Sequence, residues 1–336
     1  MKNSLQFIIL TTILISTLVG LFLNNYNNSS ASGKDFNWGV TLDPYPYGEV
    51  DKNVLNANIN RAKDLGVKWI RFGILNYPAD PFTQTDVVYN KIIENDFKVV
   101  ISFQPDKNYD QFTDPYQTGY DQAYSIASHY NNVKYFQLGN EPAASAIKYM
   151  WSGIDEESFD SDKYNKVMLW LKGAAAGVKK ANPKAKRIIT GNWLNIGFFK
   201  MLNNDNLDYD IIGWDWHQKT ADLTKVEDQG NTYNLIDKLT KLNKQVWIME
   251  AGILEGSVNG EGKQAEYMIN LARQVYQSKK FGGFFIFGLF DGQYRYEGDN
   301  NNLGILKNSK NSHGKLGPGE PKKAYWVLKN YINSVK

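Results

Sequence analysis

Eight short runs of apolar, β-branched and aromatic residues recur along this chain, separated mostly by stretches of helical periodicity, and that alternation limits the possible folds more than any other feature. The runs cover 36–42, 67–72, 98–103, 133–138, 187–192, 210–216, 245–249 and 283–290. Helical patterns follow at 53–65, 84–95, 121–130, 163–180, 235–242, 262–279 and 322–332. The clearest is 163–180, where Tyr164, Val167, Met168, Leu171, Ala175 and Val178 recur at i, i+3/i+4 spacing and Pro183 stops the helix. Only the fifth connection is poor in helix, with a short apolar stretch around 198–202. Strands this apolar, spaced by helices, pair in parallel with both sheet faces covered. Eight such units predict an α/β fold, a (β/α)8 TIM barrel over residues 35–336, rather than an open doubly wound sheet. No Gly-x-Gly-x-x-Gly follows the first run, so the dinucleotide fingerprint is missing.

The N-terminus reads as a targeting segment. Lys2 precedes an apolar run at 7–23, and the chain then turns to Asn, Ser and Gly. This start fits a signal peptide, and the length of the run also allows an N-terminal membrane anchor through residues 7–23. Residues 24–34 form a polar linker. On either reading the barrel works outside the cytoplasm, secreted or held at the membrane.

Charge and cysteine content remove several function classes. A net charge of +3 leaves no electrostatic footprint for nucleic acid. With no cysteine there are no disulfides, thiolate metal sites or cysteine nucleophiles. The three histidines, His129, His217 and His313, lack metal-ligand spacing, and no metal or other cofactor is expected.

Catalytic groups of such barrels stand at the C-terminal ends of the strands. There the chain has Arg71, Asn140, Glu141, His217, Glu250 and Asp291, with Trp193, Trp214, Trp216 and Phe287 nearby. Asp43, Tyr45 and Tyr47 follow the first strand as further cleft candidates. Glu141 after the fourth strand and Glu250 after the seventh would meet across the barrel mouth, although they are far apart in sequence. Two facing carboxyls suit glycosidic cleavage: one donates a proton to the leaving oxygen and one, ionised, attacks or stabilises the anomeric carbon.

Several segments resemble those of the clan A glycoside hydrolases, which group cellulases, mannanases and β-glycosidases. Phe136-Gln137-Leu138-Gly139-Asn140-Glu141-Pro142 is similar to that clan's Asn-Glu-Pro segment, and Val246-Trp247-Ile248-Met249-Glu250-Ala251-Gly252 to its strand-seven nucleophile segment. Asp210 to His217 resembles its sixth strand, and Asn302 to Leu306 with Lys322 to Trp326 resembles its closing segment. The resemblance spans residues 36–332 and implies a retaining mechanism, with Glu141 as general acid/base and Glu250 as nucleophile. It implies that Asn140 binds the sugar 2-hydroxyl, that Arg71 keeps Glu250 ionised and aimed, and that His217 lines the cleft. Trp193, Trp216 and Phe287 are the aromatic candidates for sugar contact. Two positions depart from the clan: Gln218 and Lys219 stand where a Tyr often follows the His, and Phe287 stands where many members have Trp. The expected partner is an oligo- or polysaccharide, acted on by a monomer, with a catalytically weak carbohydrate-binding barrel as the alternative.

Overall fold

Strands and helices alternate along the whole of the computed structural model, which describes residues 36–44, 49–74, 79–80, 82–293, 302–310 and 316–336. Eight strands make the central barrel: β1 (Asn37–Leu42), β2 (Trp69–Gly73), β3 (Lys98–Phe103), β4 (Tyr135–Leu138), β5 (Lys186–Asn192), β6 (Ile211–Trp216), β9 (Gln245–Ala251) and β10 (Phe281–Phe287). Neighbours pair in parallel around the ring, and β1 closes it against both β2 and β10. The helices are α1 (Lys52–Leu65), α2 (Thr83–Ile93), α3 (Pro115–His129), α4 (Ser161–Ala181), α5 (Ile196–Asn204), α6 (Leu235–Thr240), α7 (Glu261–Ser278) and α8 (Lys323–Ser334). The predicted (β/α)8 barrel is thus the observed fold, and every predicted strand is a barrel strand.

Two antiparallel pairs were not expected: β7 (Val226–Asp228) with β8 (Asn231–Tyr233), and β11 (Leu306–Lys310) with β12 (Leu316–Pro321). They lie in connections, and their largely polar, half-exposed residues carry no apolar run that a sequence could show. Helix α3 begins earlier than its apolar periodicity suggested, because Asp114 caps it and Pro115 fills its first position. The expected targeting segment and linker lie outside the described residues, as do Tyr45, Tyr47 and His313. Among the described residues no helix is long and apolar enough to cross a membrane.

The period-two alternation of the strands sorts side chains into a barrel interior and an outer layer under the helices. Trp69, Val100, Ile188, Ile211, Trp247 and Phe285 fill the lower interior. Two residues further along their strands come Arg71, Ser102, Thr190 and Phe287, and Gln137 and Asp215 share the same facing on β4 and β6. The interior therefore changes from an apolar plug to a polar layer toward the C-terminal mouth.

Strand β9 breaks this alternation. Val246 and Ile248 belong to the outer core, while Trp247 and Met249 face inward, so strict alternation would turn Glu250 outward. The register slips instead against both neighbours. Trp214 pairs with Ile248 but Asp215 pairs with Glu250, and Phe284 pairs with Ile248 but Ile286 with Ala251. The extra residue in β9 is a bulge, and it returns the Glu250 side chain to the interior.

On the outside, α3 and α4 pack backbone to backbone. A Cβ on Gly173 would fall 1.9 Å from the Tyr116 carbonyl oxygen, so only glycine allows this approach.

Candidate active site

Arg71 is the hub of the polar layer. Its Nη1 donates to Glu250 Oε1 at 2.6 Å, its Nη2 to Asn140 Oδ1 at 2.9 Å, and its Nε to Gln137 Oε1 at 2.5 Å. Gln137 Nε2 in turn donates to the Gly139 carbonyl at 2.9 Å, tying the hub to the turn after β4. A planar guanidinium with fixed donors thereby sets the positions of Glu250 and Asn140 relative to one another. The Asn140 oxygen is engaged by Arg71 and Gln137, which leaves its Nδ2 as the donor for a ligand.

Glu250 is 7% exposed, and its second oxygen lies 3.2 Å from His217 Nε2. Burial opposes its ionisation, but the charge of Arg71 and the hydrogen bond and charge of His217 outweigh it and hold the carboxyl below its ordinary range. The His217 ring meets Phe287 edge-on, with centroids 4.8 Å apart. Both residues thus stand at the same mouth.

Glu141 sits in a turn with left-handed backbone, φ 77° at Gly139 and 46° at Glu141 itself. For a residue with a Cβ this costs about 1–3 kcal/mol and persists only where the surroundings enforce it. The Glu141 N–H donates to Thr190 Oγ1 at 2.9 Å, and Asn192 hydrogen-bonds the carboxyl. Burial and then the negative charge of Glu250 push Glu141 above the ordinary carboxylate range, with His217, Asn192 and Arg71 offsetting part of the rise. The two carboxyls are thus driven in opposite directions, the arrangement that separates an acid from a base.

A third carboxyl, which the sequence reading missed, completes the cluster. Asp215 is 1% exposed, faces inward from β6, and pairs in register with Glu250. Among the described residues no donor reaches either of its oxygens. Burial first, and then the charge of Glu250, push it well above the ordinary range, so it holds a proton when Glu250 does not. One arginine therefore favours the charged form of one carboxyl, while the surroundings of the other two favour their protonated forms. Asp215, Gln137 and Thr190 each interrupt an apolar parallel strand with a polar residue, and that interruption was the signal available in the sequence.

The aromatic candidates separate. Trp193 is partly exposed, while Trp216 is fully buried in the outer layer, where its Nε1 donates to the Thr220 carbonyl at 2.8 Å. The expectation that Trp216 contacts a sugar is corrected: alternation points Asp215 inward and Trp216 toward the helices. Trp216 instead backs Trp193, with the rings stacked at 6.0 Å. Trp214 is buried in the same outer layer. Asp291 is taken by Lys322, whose Nζ lies 2.6 Å away and also donates to Ser257 Oγ at 2.8 Å, so it closes the loop after β10 rather than facing the carboxyls. Among the described residues no three side chains are placed to hold a metal ion.

No protein-family model matches the chain, and no curated protein matches it in sequence. Among solved structures it is similar to native xylanase 10B from Thermotoga maritima, at 15% identity and a TM-score of 0.62 over 91% of this chain and 97% of that one. It is similar to a family 1 β-glucosidase from Thermotoga maritima, at 11% identity and a TM-score of 0.63 over 92% of this chain and 99% of that one. A GH10 endoxylanase retrieved from a sugarcane soil metagenome matches at 13% identity and a TM-score of 0.63 over 89% and 97%. At these identities the likeness is one of fold: the chain is a (β/α)8 barrel of the same architecture as these enzymes, along almost their whole length.

Proposed function

We propose that this protein is a retaining glycoside hydrolase of the clan A type that cleaves a β-linked polysaccharide by double displacement. The observation that carries the reading is the placement of Glu141 and Glu250 at strand ends of one mouth, with Arg71 bonded to Glu250 and Asn140, an arrangement that favours the charged form of Glu250 while burial favours the protonated form of Glu141. In the first step a Glu250 oxygen bonds to the anomeric carbon. The glycosidic bond breaks, and its oxygen leaves with the proton of Glu141. In the second step Glu141, now a carboxylate, takes a proton from water as that water attacks the same carbon and releases Glu250. Asn140 offers its amide to the sugar hydroxyl next to the anomeric carbon, and His217 steadies Glu250 from the side opposite Arg71. Trp193 and Phe287 offer rings at the mouth.

The likeness in fold to a xylanase and a β-glucosidase supports this reading. So does the chemistry of the cluster, because a barrel that only held sugars would gain nothing from one carboxyl kept charged beside another kept protonated. The apolar run at 7–23 supports export, and cell fractionation of the full chain tests it.

Reducing-end release on β-glucan, β-mannan, β-xylan and bacterial exopolysaccharides tests the activity, comparing the wild type with Glu141→Ala and Glu250→Ala and reading the product anomer by NMR. Cleavage of one glycan with β retained, and loss in both variants, supports the mechanism. Full activity in Glu250→Ala removes the assigned nucleophile, and binding without cleavage on every glycan makes the barrel a binding protein.

A further inference from the structure

The most exposed large apolar residues of the described chain include one uninterrupted tripeptide. Tyr149, Met150 and Trp151 keep 91%, 77% and 52% of their surface in solvent. They lie in the connection from β4 to α4, whose first residues include Glu141, and so stand at the same end of the barrel as the carboxyls. Large apolar side chains side by side in water mark a contact surface, where a loop tip without a ligand would be polar.

The tip is held in place. Ile147 bridges Phe159, the Lys148 N–H donates to the Ser158 carbonyl at 2.8 Å, and Lys148 Nζ donates to the Glu157 carbonyl at 2.8 Å. Met150 is kept in the left-handed region, φ 62°, which a residue with a Cβ seldom adopts. Lys148 Nζ stands 5.6 Å from the centre of the Trp151 ring.

Beyond Trp151 the loop packs on the groups that hold Glu141. Gly153 lies so close to Asn195 that a Cβ would come within 2.2 Å of its side-chain oxygen, and the Gly197 N–H donates to the Gly153 carbonyl at 2.8 Å. Asn195 Nδ2 donates to Asn192 Oδ1 at 2.7 Å, and Asn192 hydrogen-bonds the Glu141 carboxyl. A continuous line of contacts therefore runs from the proton donor to the segment bearing the tripeptide.

We propose that Tyr149, Met150 and Trp151 form a platform for a sugar ring of the departing portion of the glycan. The proposal rests on the hydrolase reading above. The leaving oxygen takes its proton from Glu141, so the sugar attached to that oxygen lies on the Glu141 side of the broken bond, and the loop rooted at Glu141 borders that side. Pyranose rings present flat C–H faces that stack on aromatic rings, and the flexible thioether of Met150 adds an adaptable apolar surface to the two rings.

The test compares two substrates that differ in the departing group. One is β-glucan or β-xylan, which leaves as a sugar chain; the other is β-cellobiosyl or β-xylobiosyl fluoride, which leaves as fluoride and has no ring to stack. In Trp151→Ala, and in the triple variant with Tyr149→Ala and Met150→Ala, the ratio of kcat/KM on the polymer to kcat/KM on the fluoride falls tenfold or more. Trp151→Phe recovers most of that ratio. An unchanged ratio in the triple variant overturns the platform while the hydrolase reading stands, as does an equal loss on both substrates. A wild type that hydrolyses none of the glycans of the activity panel and neither fluoride overturns the hydrolase reading and the platform with it.

Discussion

Arg71 of β2 and Glu250 of β9 meet at 2.6 Å inside the barrel, the two residues only 4% and 7% exposed. A buried pair of this kind contributes little net stability, because desolvating both charges offsets most of their attraction. Its consequence is local: Arg71 favours the ionised form of Glu250 in a place where burial opposes it, and the Glu250 charge then adds to burial in raising Glu141 and Asp215 above the ordinary carboxylate range.

Arg71→Met removes the cation and leaves Glu250 buried without it. The expected loss is about 3–5 kcal/mol of stability, read from urea unfolding at neutral pH. The acidic limb of kcat/KM against pH moves to higher pH, since Glu250 no longer gains from the positive charge. Arg71→Lys keeps that limb near its wild-type place but loses the fork that reaches Asn140 and Gln137. An acidic limb that stays put in Arg71→Met would contradict the role given to this pair.

The pH profile of the wild type follows from the same two carboxyls. Activity rises as Glu250 loses its proton, at a pH below the ordinary carboxylate range, and falls as Glu141 loses its proton, above that range. In Glu141→Gln the alkaline limb disappears when a glycosyl fluoride is the substrate, and turnover of the polymer falls by about 10²–10⁴. Persistence of the alkaline limb in that variant would assign it to another group.

Asp215→Asn tests the third carboxyl through stability. Asp215 has a folded pKa above its unfolded value, so its favourable contribution is full below the unfolded pKa and is lost as pH rises toward the folded one. Each unit of that elevation corresponds to about 1.4 kcal/mol. An amide cannot ionise, so the variant gains stability relative to the wild type as pH rises from about 4 toward 8. Melting temperatures for both proteins across that interval check the trend; parallel curves would mean that Asp215 is not held protonated.

Gly173→Ala probes the outer wall without touching the site. The added methyl would meet the Tyr116 carbonyl oxygen at 1.9 Å, and forcing α3 and α4 apart costs about 1–3 kcal/mol. The melting temperature drops while both limbs of the pH profile stay in place. A shifted limb would show that helix packing reaches the carboxyls.

The barrel was legible in the amino-acid order because its cause is local and repeated. An apolar run of strand length followed by a helical stripe can bury both faces only by stacking into layers, and eight such units close the ring. Glu141 and Glu250 stood out for the same reason, as carboxyls at the ends of apolar strands. What those carboxyls do was decided elsewhere. Period-two reasoning turns Glu250 outward, and only the register of β9 against β6 and β10 inserts the bulge that turns it back. The same register places Asp215 beside Glu250 and sends Trp216 to the outer layer, although the two are neighbours in the chain. Ionisation is still less local, since it depends on burial and on Arg71, a charge supplied by a distant strand. Sequence carries the period of each element; the facing and charge of a side chain at a strand end come from the strands packed beside it.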